Sequence, residues 1–241
     1  MISVINIETI LVAVVFAVFI ILSVIGYMKG AIKILVSFVS LFISIILVFI
    51  IYPTATTMLN DTQVKKIVED KVSDYVDDNL NLNKLNEIEQ TGVEAQQNIL
   101  DEMPLPKGII EKLKENNNEN TYKSLEVTNF KDYVKAYITT EMVRILSFAL
   151  VFIVVHLLVM IFVALTQIAT KLPGVEFADR TLGVIIGLAE AYILVLVFCI
   201  IITALSGVSG MKPIFDAIHN NKILNAIYEN NILLTLLLKF L

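Results

Sequence analysis

Four long stretches of apolar residues decide what this chain can fold into. They are residues 10–28, 34–52, 143–165 and 182–205. Each is long enough to cross the hydrocarbon core of a bilayer as an α-helix, which takes about 20 residues. The second stretch has no charged side chain, and the fourth has one, Glu190. Buried helices of a soluble protein rarely reach this length four times in one small chain, so the sequence predicts an all-α membrane protein with four transmembrane helices.

The composition excludes several classes of function. Hydrophobic residues make up 57% of the chain and charged residues 17%, whereas soluble proteins average about 45–50% and about 25%. The net charge of −5 gives no reason to expect a nucleic-acid partner. Cys199 is the only cysteine, so an intramolecular disulfide or a cysteine-based zinc site is excluded, and we expect no metal or other cofactor. Common catalytic motifs are absent, so we expect a protein that is not an enzyme.

The apolar and polar stretches divide the chain into four parts. Residues 1–52 form a first transmembrane hairpin and residues 141–205 a second. Between them, residues 53–140 form an acidic helical insert with 10 Lys and 16 Asp or Glu, which we expect to be a solvated cap or a docking surface for a partner. No Gly or Pro follows Asn129 before the third span, which predicts one unbroken helix there. Residues 206–241 form an amphipathic tail, interfacial or packed on the bundle.

Basic residues in the two short turns predict the orientation. Lys29 and Lys33 lie between the first two spans, and Lys171 and Arg180 lie between the last two. Short loops rich in Lys and Arg stay on the cytoplasmic side of a membrane. We therefore expect both turns to be cytoplasmic, and we expect the N-terminus, residues 53–140 and the C-terminus to be extracytoplasmic.

Two ionisable side chains inside the spans are candidates for function. Glu190 and His156 are predicted to lie at depths that differ by about one helical turn, so they could form an intramembrane polar pair. Such an acid either belongs to a proton or ion site, or is protonated or hydrogen-bonded to Ser and Thr of neighbouring helices. Ser37, Ser40 and Ser44 share one face of the second span and are expected to face partner helices.

Small residues and an Asp-Arg pair mark the helix contacts. Residues four apart that lack bulky side chains let a second helix approach closely. Two pairs of glycines have this spacing: Gly26 with Gly30, and Gly183 with Gly187. Asp179 is predicted to cap the helix that it begins, and Arg180 to anchor at the interface or to pair with Asp179.

The residues around the two turns form a recognisable pattern. Residues 26–30 read Gly-Tyr-Met-Lys-Gly. The second turn contains Lys-Leu-Pro-Gly, then Phe-Ala-Asp-Arg-Thr-Leu-Gly. The residues that define the pattern here are Pro173, Gly174, Asp179, Arg180, Gly183 and Gly187. The pattern resembles the colicin V production protein (CvpA) family of bacterial inner-membrane proteins. The resemblance implies a multi-pass protein of the bacterial cytoplasmic membrane that is linked to colicin V production or export, with no defined reaction.

Two functional interpretations follow. The first is an accessory or scaffold factor that supports the production or secretion of a colicin V-like toxin through membrane or exported protein partners. The alternative is an oligomeric small channel or transporter that uses Glu190 within the bundle. Four helices are few for transport, so the alternative requires a homo-oligomer built on Gly183 and Gly187.

Overall fold

The computed structural model describes residues 6–79, 92–103, 105–165, 176–206 and 209–239, and within these ranges it contains helices and no strand. The α-helices are α1 (Ile7–Lys29), α2 (Ala31–Asn60), α3 (Gln63–Asn79), α4 (Val93–Glu102), α5 (Lys107–Glu115), α6 (Glu119–Ser124), α7 (Phe130–Leu165), α8 (Glu176–Ala204), α9 (Lys212–Asn220), α10 (Lys222–Glu229) and α11 (Ile232–Lys239). Among these, α1, α2, α7 and α8 are long and apolar enough to cross a membrane. The predicted all-α fold with four spans is confirmed.

The helices α2 and α8 form the centre of the bundle. α1 packs along α8, α7 packs along α2, and α2 and α8 also contact each other. α1 therefore has neighbours mainly on one side, and many of its apolar side chains are exposed, among them Ile20, Ile21 and Met28. Apolar surface of this extent on a spanning helix is surface for lipid.

Two of the spanning helices continue beyond their apolar stretches. α2 passes through Pro53 and ends at Asn60, with Tyr52 and Thr56 buried on its inner face. α7 has 36 residues and is therefore about 54 Å long at 1.5 Å per residue. The prediction of one unbroken helix from the insert into the third span is confirmed.

The helices of the insert fold on each other and on α7. We call α3 to α6, together with residues 130–142 of α7, the cap. Tyr133 is completely buried at the centre of the cap: its ring stacks on Tyr122 with 4.9 Å between centroids, and its hydroxyl donates to the carbonyl of Leu113 at 2.6 Å. Apolar side chains of α4 and α5 close around it, including Leu100 and Ile109. The amphipathic helices expected from the sequence thus have their apolar faces packed within the chain.

An ion pair fixes α3 along α7. The carboxylate of Asp77 lies 2.6 Å from Nζ of Lys131 and 2.9 Å from Nζ of Lys135. Hydrogen bonds from the two ammonium groups, with Lys131 contributing most, lower the pKa of Asp77. Val72 and Val76 of α3 are buried in the same contact.

The tail packs against both the bundle and the cap. Asn231 is buried, and its amide donates to the carbonyl of Leu196 in α8 at 2.8 Å, while its side-chain oxygen accepts from two backbone N–H groups of α11. The backbone N–H of Lys107 in the cap donates to Glu229 of α10 at 3.2 Å. The described part of the tail is packed on the bundle and the cap, and an interfacial position of the tail stays a prediction.

Candidate functional site

The glycines bring α1 and α8 into backbone contact. Gly26 of α1 faces Gly183 of α8, and a Cβ atom added to either would overlap the carbonyl oxygen of the other. One turn further along α8, a Cβ on Gly187 would overlap the carbonyl oxygen of Leu22. The two helices can approach this closely only because no side chain separates them. The faces of Gly183 and Gly187 are therefore covered by α1 of the same chain, and a second copy would have to bind elsewhere.

Asp179 joins the two hairpins at the end of the bundle where α1 meets α2. Its Oδ1 accepts hydrogen bonds from the backbone N–H of Ala31 at 2.9 Å and of Ile32 at 3.4 Å. These are the first N–H groups of α2, which have no partner within their own helix. Gly30 precedes them with φ of +78°, and a Cβ there would overlap the Asp179 carboxylate. Both the backbone conformation and the available space at this position require glycine.

The predicted role of Asp179 as the cap of its own helix is wrong. α8 extends back to Glu176 in the described residues, so Asp179 lies inside the first turn of α8 and not before it. The close approach of the hairpins at the glycines brings the open N-terminus of α2 to this carboxylate. Asp179 therefore caps the neighbouring hairpin instead of its own helix.

Basic side chains collect at the same end of the bundle. The guanidinium of Arg180 lies over the ring of Tyr27, 5.6 Å from its centroid, which is a cation–π contact. Lys29 ends α1 and Lys33 lies in the first turn of α2. Three of the four basic residues used to predict the orientation thus lie at the same end of the bundle. The others in the turn motif, Lys171, Pro173 and Gly174, lie outside the described residues.

Glu190 is buried within the bundle, with 5% of its surface exposed. The hydroxyl of Ser37 on α2 donates to its Oε1 at 2.7 Å. Its Oε2 is buried and has no hydrogen-bond partner among the described residues. A carboxyl group inside a membrane is costly unless it is paired or hydrated. Here the Ser37 hydroxyl provides a hydrogen bond to only one of the two carboxyl oxygens.

His156 contacts a different serine of α2. Its Nδ1 lies 3.1 Å from Oγ of Ser44, and its ring stacks on Phe152 with 5.3 Å between centroids. The one proton of the Ser44 hydroxyl is donated to the carbonyl of Ser40 at 2.8 Å. With that proton on the Ser40 carbonyl, the Ser44 oxygen can accept a hydrogen bond from His156 when the imidazole carries its proton on Nδ1.

The predicted pair of Glu190 and His156 is not joined by a hydrogen bond. Their partners Ser37 and Ser44 are seven residues apart on α2, which is about 10 Å along the helix axis. Depth along a single helix does not include the shift of that helix relative to its neighbour, which is why the two residues were expected to meet. Direct proton transfer between the two groups would require contact. A functional role for either one stays a prediction.

Glu141 is a buried charge that the sequence analysis did not single out. It is 3% exposed, and its Oε1 accepts a hydrogen bond from Arg144 at 2.9 Å. The signal was present in the sequence, because an acid and a base three residues apart at the start of an apolar stretch can pair on one helix face. Among the residues that the structure describes, no group of three or more His, Cys, Asp or Glu side chains could hold a metal ion.

Comparison with known proteins finds one family similarity, in the second half of the chain. Residues 125–230 match the family model described as Colicin V production protein. The matched range contains α7 to α10 and includes Asp179, Gly183 and Gly187, so the resemblance to this family is confirmed for the second hairpin. The first turn, residues 26–30, lies before the matched range. No curated protein and no solved structure matches the chain.

Proposed function

We propose, from the match of residues 125–230 to the family model described as Colicin V production protein, that the chain is an accessory or scaffold factor for the production or secretion of a colicin V-like toxin. The family match and the four candidate spans support the coarser statement, a membrane protein in toxin production. Our proposal adds that the protein works by binding membrane or exported protein partners and that it catalyses no reaction.

The continuity between cap and bundle supports a scaffold most strongly. α7 runs without a break from the cap into the membrane span, and the tail is bonded to both parts through Lys107 and Asn231. A partner that binds a preformed surface loses less free energy to ordering than one that binds a mobile segment. A cap held in one orientation above the bundle is such a surface.

The cap also has an open groove of suitable chemistry. The groove has a volume of about 430 Å³ and is lined by side chains that include Gln96, Asn117, Glu119, Tyr122 and Lys123. The Tyr122 hydroxyl donates to Asn117 at 2.8 Å, which holds the aromatic ring in place. An ordered tyrosine among polar groups is typical of protein interfaces.

Photo-crosslinking in intact membranes tests the scaffold proposal. A photoreactive amino acid replaces Glu119, whose side chain is 93% exposed at the groove. The matched control replaces Phe162, which is exposed on the apolar surface of α7. We expect the position in the cap to crosslink to a second, different polypeptide and the control to crosslink to lipid. Crosslinks to further copies of this chain alone, or none from the cap, would contradict the proposal.

We further propose that the cap, the N-terminus and the C-terminus are extracytoplasmic in a bacterial inner membrane. The support is the cluster of Lys29, Lys33 and Arg180 at the opposite end of the bundle. In a Cys199→Ser background, a single cysteine at Glu119 should react with an impermeant maleimide in intact cells with a permeable outer layer. A cysteine at Lys33 should react only after the inner membrane is opened. The reverse pattern would overturn this orientation.

A second candidate function is an oligomeric channel or transporter, and the unpartnered Oε2 of Glu190 is the observation in its favour. Because α1 covers Gly183 and Gly187, the oligomer would have to use another surface, such as the exposed side of α1. This candidate predicts that Glu190→Gln abolishes flux while assembly survives. The scaffold predicts that the same variant works normally.

A further inference from the structure

A polar cavity of about 300 Å³ lies where the cap and the tail meet. Its walls come from four parts of the chain: the end of α5 with Lys112 and Asn116, α6 with Ser124, α7 with Tyr137, Glu141 and Arg144, and α11 with Leu238. Ligand sites in proteins range from about 300 to 1,000 Å³, so this cavity suits a small group.

Two cations on different helices face this cavity. Nζ of Lys112 lies 3.2 Å from Glu115, and one guanidinium nitrogen of Arg144 lies 2.9 Å from Glu141. A lysine has three N–H donors and an arginine five, so these contacts leave further donors on both side chains. Both side chains are also 33% exposed. The pair can therefore bind an anion with charge-assisted hydrogen bonds.

An acceptor that lacks a donor lies beside these cations. Glu141 is 97% buried, and Arg144 bonds only to its Oε1. Its Oε2 has no hydrogen-bond partner among the described residues. A buried acceptor left without a donor is costly, and a ligand that supplies an N–H group would remove that cost. The cavity is thus complementary to a molecule with both an anion and an ammonium group.

The position of the cavity narrows the choice of ligand. Glu141 and Arg144 flank residue 143, at which the apolar stretch of α7 begins. The cavity therefore lies at the boundary between the hydrocarbon core and the headgroup region on the cap side. Phosphate and ammonium groups of lipids are found at this depth, and basic pockets beside spanning helices bind lipid headgroups.

We propose that this cavity binds a phosphoethanolamine group, with the phosphate at Lys112 and Arg144 and the ammonium at Oε2 of Glu141. The group can come from an aminophospholipid of the surrounding bilayer or from a water-soluble phosphoethanolamine ester. The proposal requires neither a partner protein nor a role in toxin production, so it can be tested separately from the proposed function.

Native mass spectrometry of the full-length protein in detergent tests this binding. The probes are short-chain phosphatidylethanolamine and phosphatidylcholine with identical acyl chains, because the quaternary ammonium of the second has no N–H to donate. We expect the ethanolamine lipid to bind about tenfold more tightly or better, as a hydrogen bond to a charged group would give. Glu141→Gln should remove this preference, while the matched variant Glu111→Gln, exposed and outside the cavity, should keep it. Equal binding of the two lipids, or a preference that survives Glu141→Gln, would overturn the proposal.

A second variant covers the case in which Glu141→Gln fails to fold. Ser124 is an exposed residue on the cavity wall, so Ser124→Phe fills the cavity without disturbing the buried core. We expect unchanged helical circular dichroism and loss of the bound ethanolamine lipid, and retention of the lipid would contradict the proposal. Glycerophosphoethanolamine identifies the source: displacement of the lipid at similar concentration supports a soluble ester, and failure to displace it supports the membrane lipid.

Discussion

The two helix pairs that join the hairpins are held together in opposite ways. α1 and α8 meet backbone to backbone at Gly26 and Gly183, where no side chain fits. α2 and α7 meet through side chains, with the ring centroid of Phe148 5.3 Å from that of Phe49 and 5.9 Å from that of Tyr52. Lipid is as apolar as the helix surfaces, so both contacts depend on packing and hydrogen bonds. The contact of α1 with α8 forms only if the facing residues have no side chains. The contact of α2 with α7 needs large side chains to fill the space between the helices.

The largest effect is expected where volume is added to the glycine contact. Gly183→Leu places a side chain where the carbonyl of Gly26 lies, so α1 must separate from α8. We expect a loss of about 3 kcal/mol in the free energy of unfolding, at the upper end of overpacking costs, because the added side chain meets backbone atoms. Titration with SDS, followed by circular dichroism, measures it.

The control for this variant is Gly210→Leu. A Cβ at Gly210 meets no atom within 4 Å, so the same substitution adds volume to open space. We expect the stability to change little. Equal losses of stability for Gly183→Leu and Gly210→Leu would show that the contact of α1 with α8 does not depend on the absence of side chains at the glycines.

The next largest effect is expected at the hydrogen bonds that close the same end of the bundle. Asp179→Ala removes the acceptor for the N–H groups of Ala31 and Ile32, and caps of this kind contribute about 1–2 kcal/mol. Asp179→Asn keeps an acceptor oxygen and should retain most of the stability in the same titration. If alanine and asparagine prove equally harmless, Asp179 does not hold the hairpins together.

The contact of α2 with α7 should tolerate a change of shape. Phe148 is completely buried there, and Phe148→Met keeps an apolar side chain of similar size. We expect a loss below about 1.5 kcal/mol, as for other substitutions that conserve volume in a core. Phe148→Ala, which removes the volume, should cost clearly more in the same assay. A methionine variant as unstable as the alanine variant would contradict the comparison.

The smallest effect is expected at the ion pair of the cap. The pKa of Asp77 is lowered by Lys131 and Lys135, so the pair stabilises the cap above the ordinary carboxyl pKa of 3.8. This contribution is lost as the pH falls through the lowered pKa of the folded state. Asp77→Asn should therefore cost less than about 1 kcal/mol at neutral pH, because the carboxylate is 43% exposed. The difference from wild type should vanish on acidification.

The matched control for the ion pair is Asp74→Asn on the same helix. The Asp74 side chain is 73% exposed and lies 4.0 Å from Lys71. Hydrogen exchange of α3, measured against pH, should differ from wild type for Asp77→Asn and stay unchanged for Asp74→Asn. Identical profiles for the two variants would show that Asp77 does not fix α3 to α7.

The spans could be predicted because the bilayer imposes a length and an apolar composition on each helix separately. The continuity of α7 was equally local, since no Gly or Pro follows Asn129 before the span. Such features depend on residues that are neighbours in the sequence, and one chain is enough to show them.

The partners of the polar residues could not be predicted in the same way. Asp179 accepts a hydrogen bond from Ala31, 148 residues away in the sequence, and Glu190 accepts one from Ser37, 153 residues away. These contacts depend on how far one helix is shifted along another. That shift cannot be predicted from the composition or the periodicity of one sequence. The cavity at Glu141 was missed for the same reason, because four separate helices contribute to its walls.

One measurement tests the scaffold against the channel most directly: the toxin activity secreted by cells whose only copy of this chain is a variant. Glu190→Gln keeps an acceptor for Ser37 and removes the carboxylate. The double exchange Glu119→Lys with Lys123→Glu keeps the net charge and an ion pair on α6. It reverses the positions of the positive and the negative charge at the groove. The account predicts wild-type secretion from the first variant and reduced secretion from the second. Loss of secretion with Glu190→Gln, and normal secretion with the exchanged cap, would contradict it.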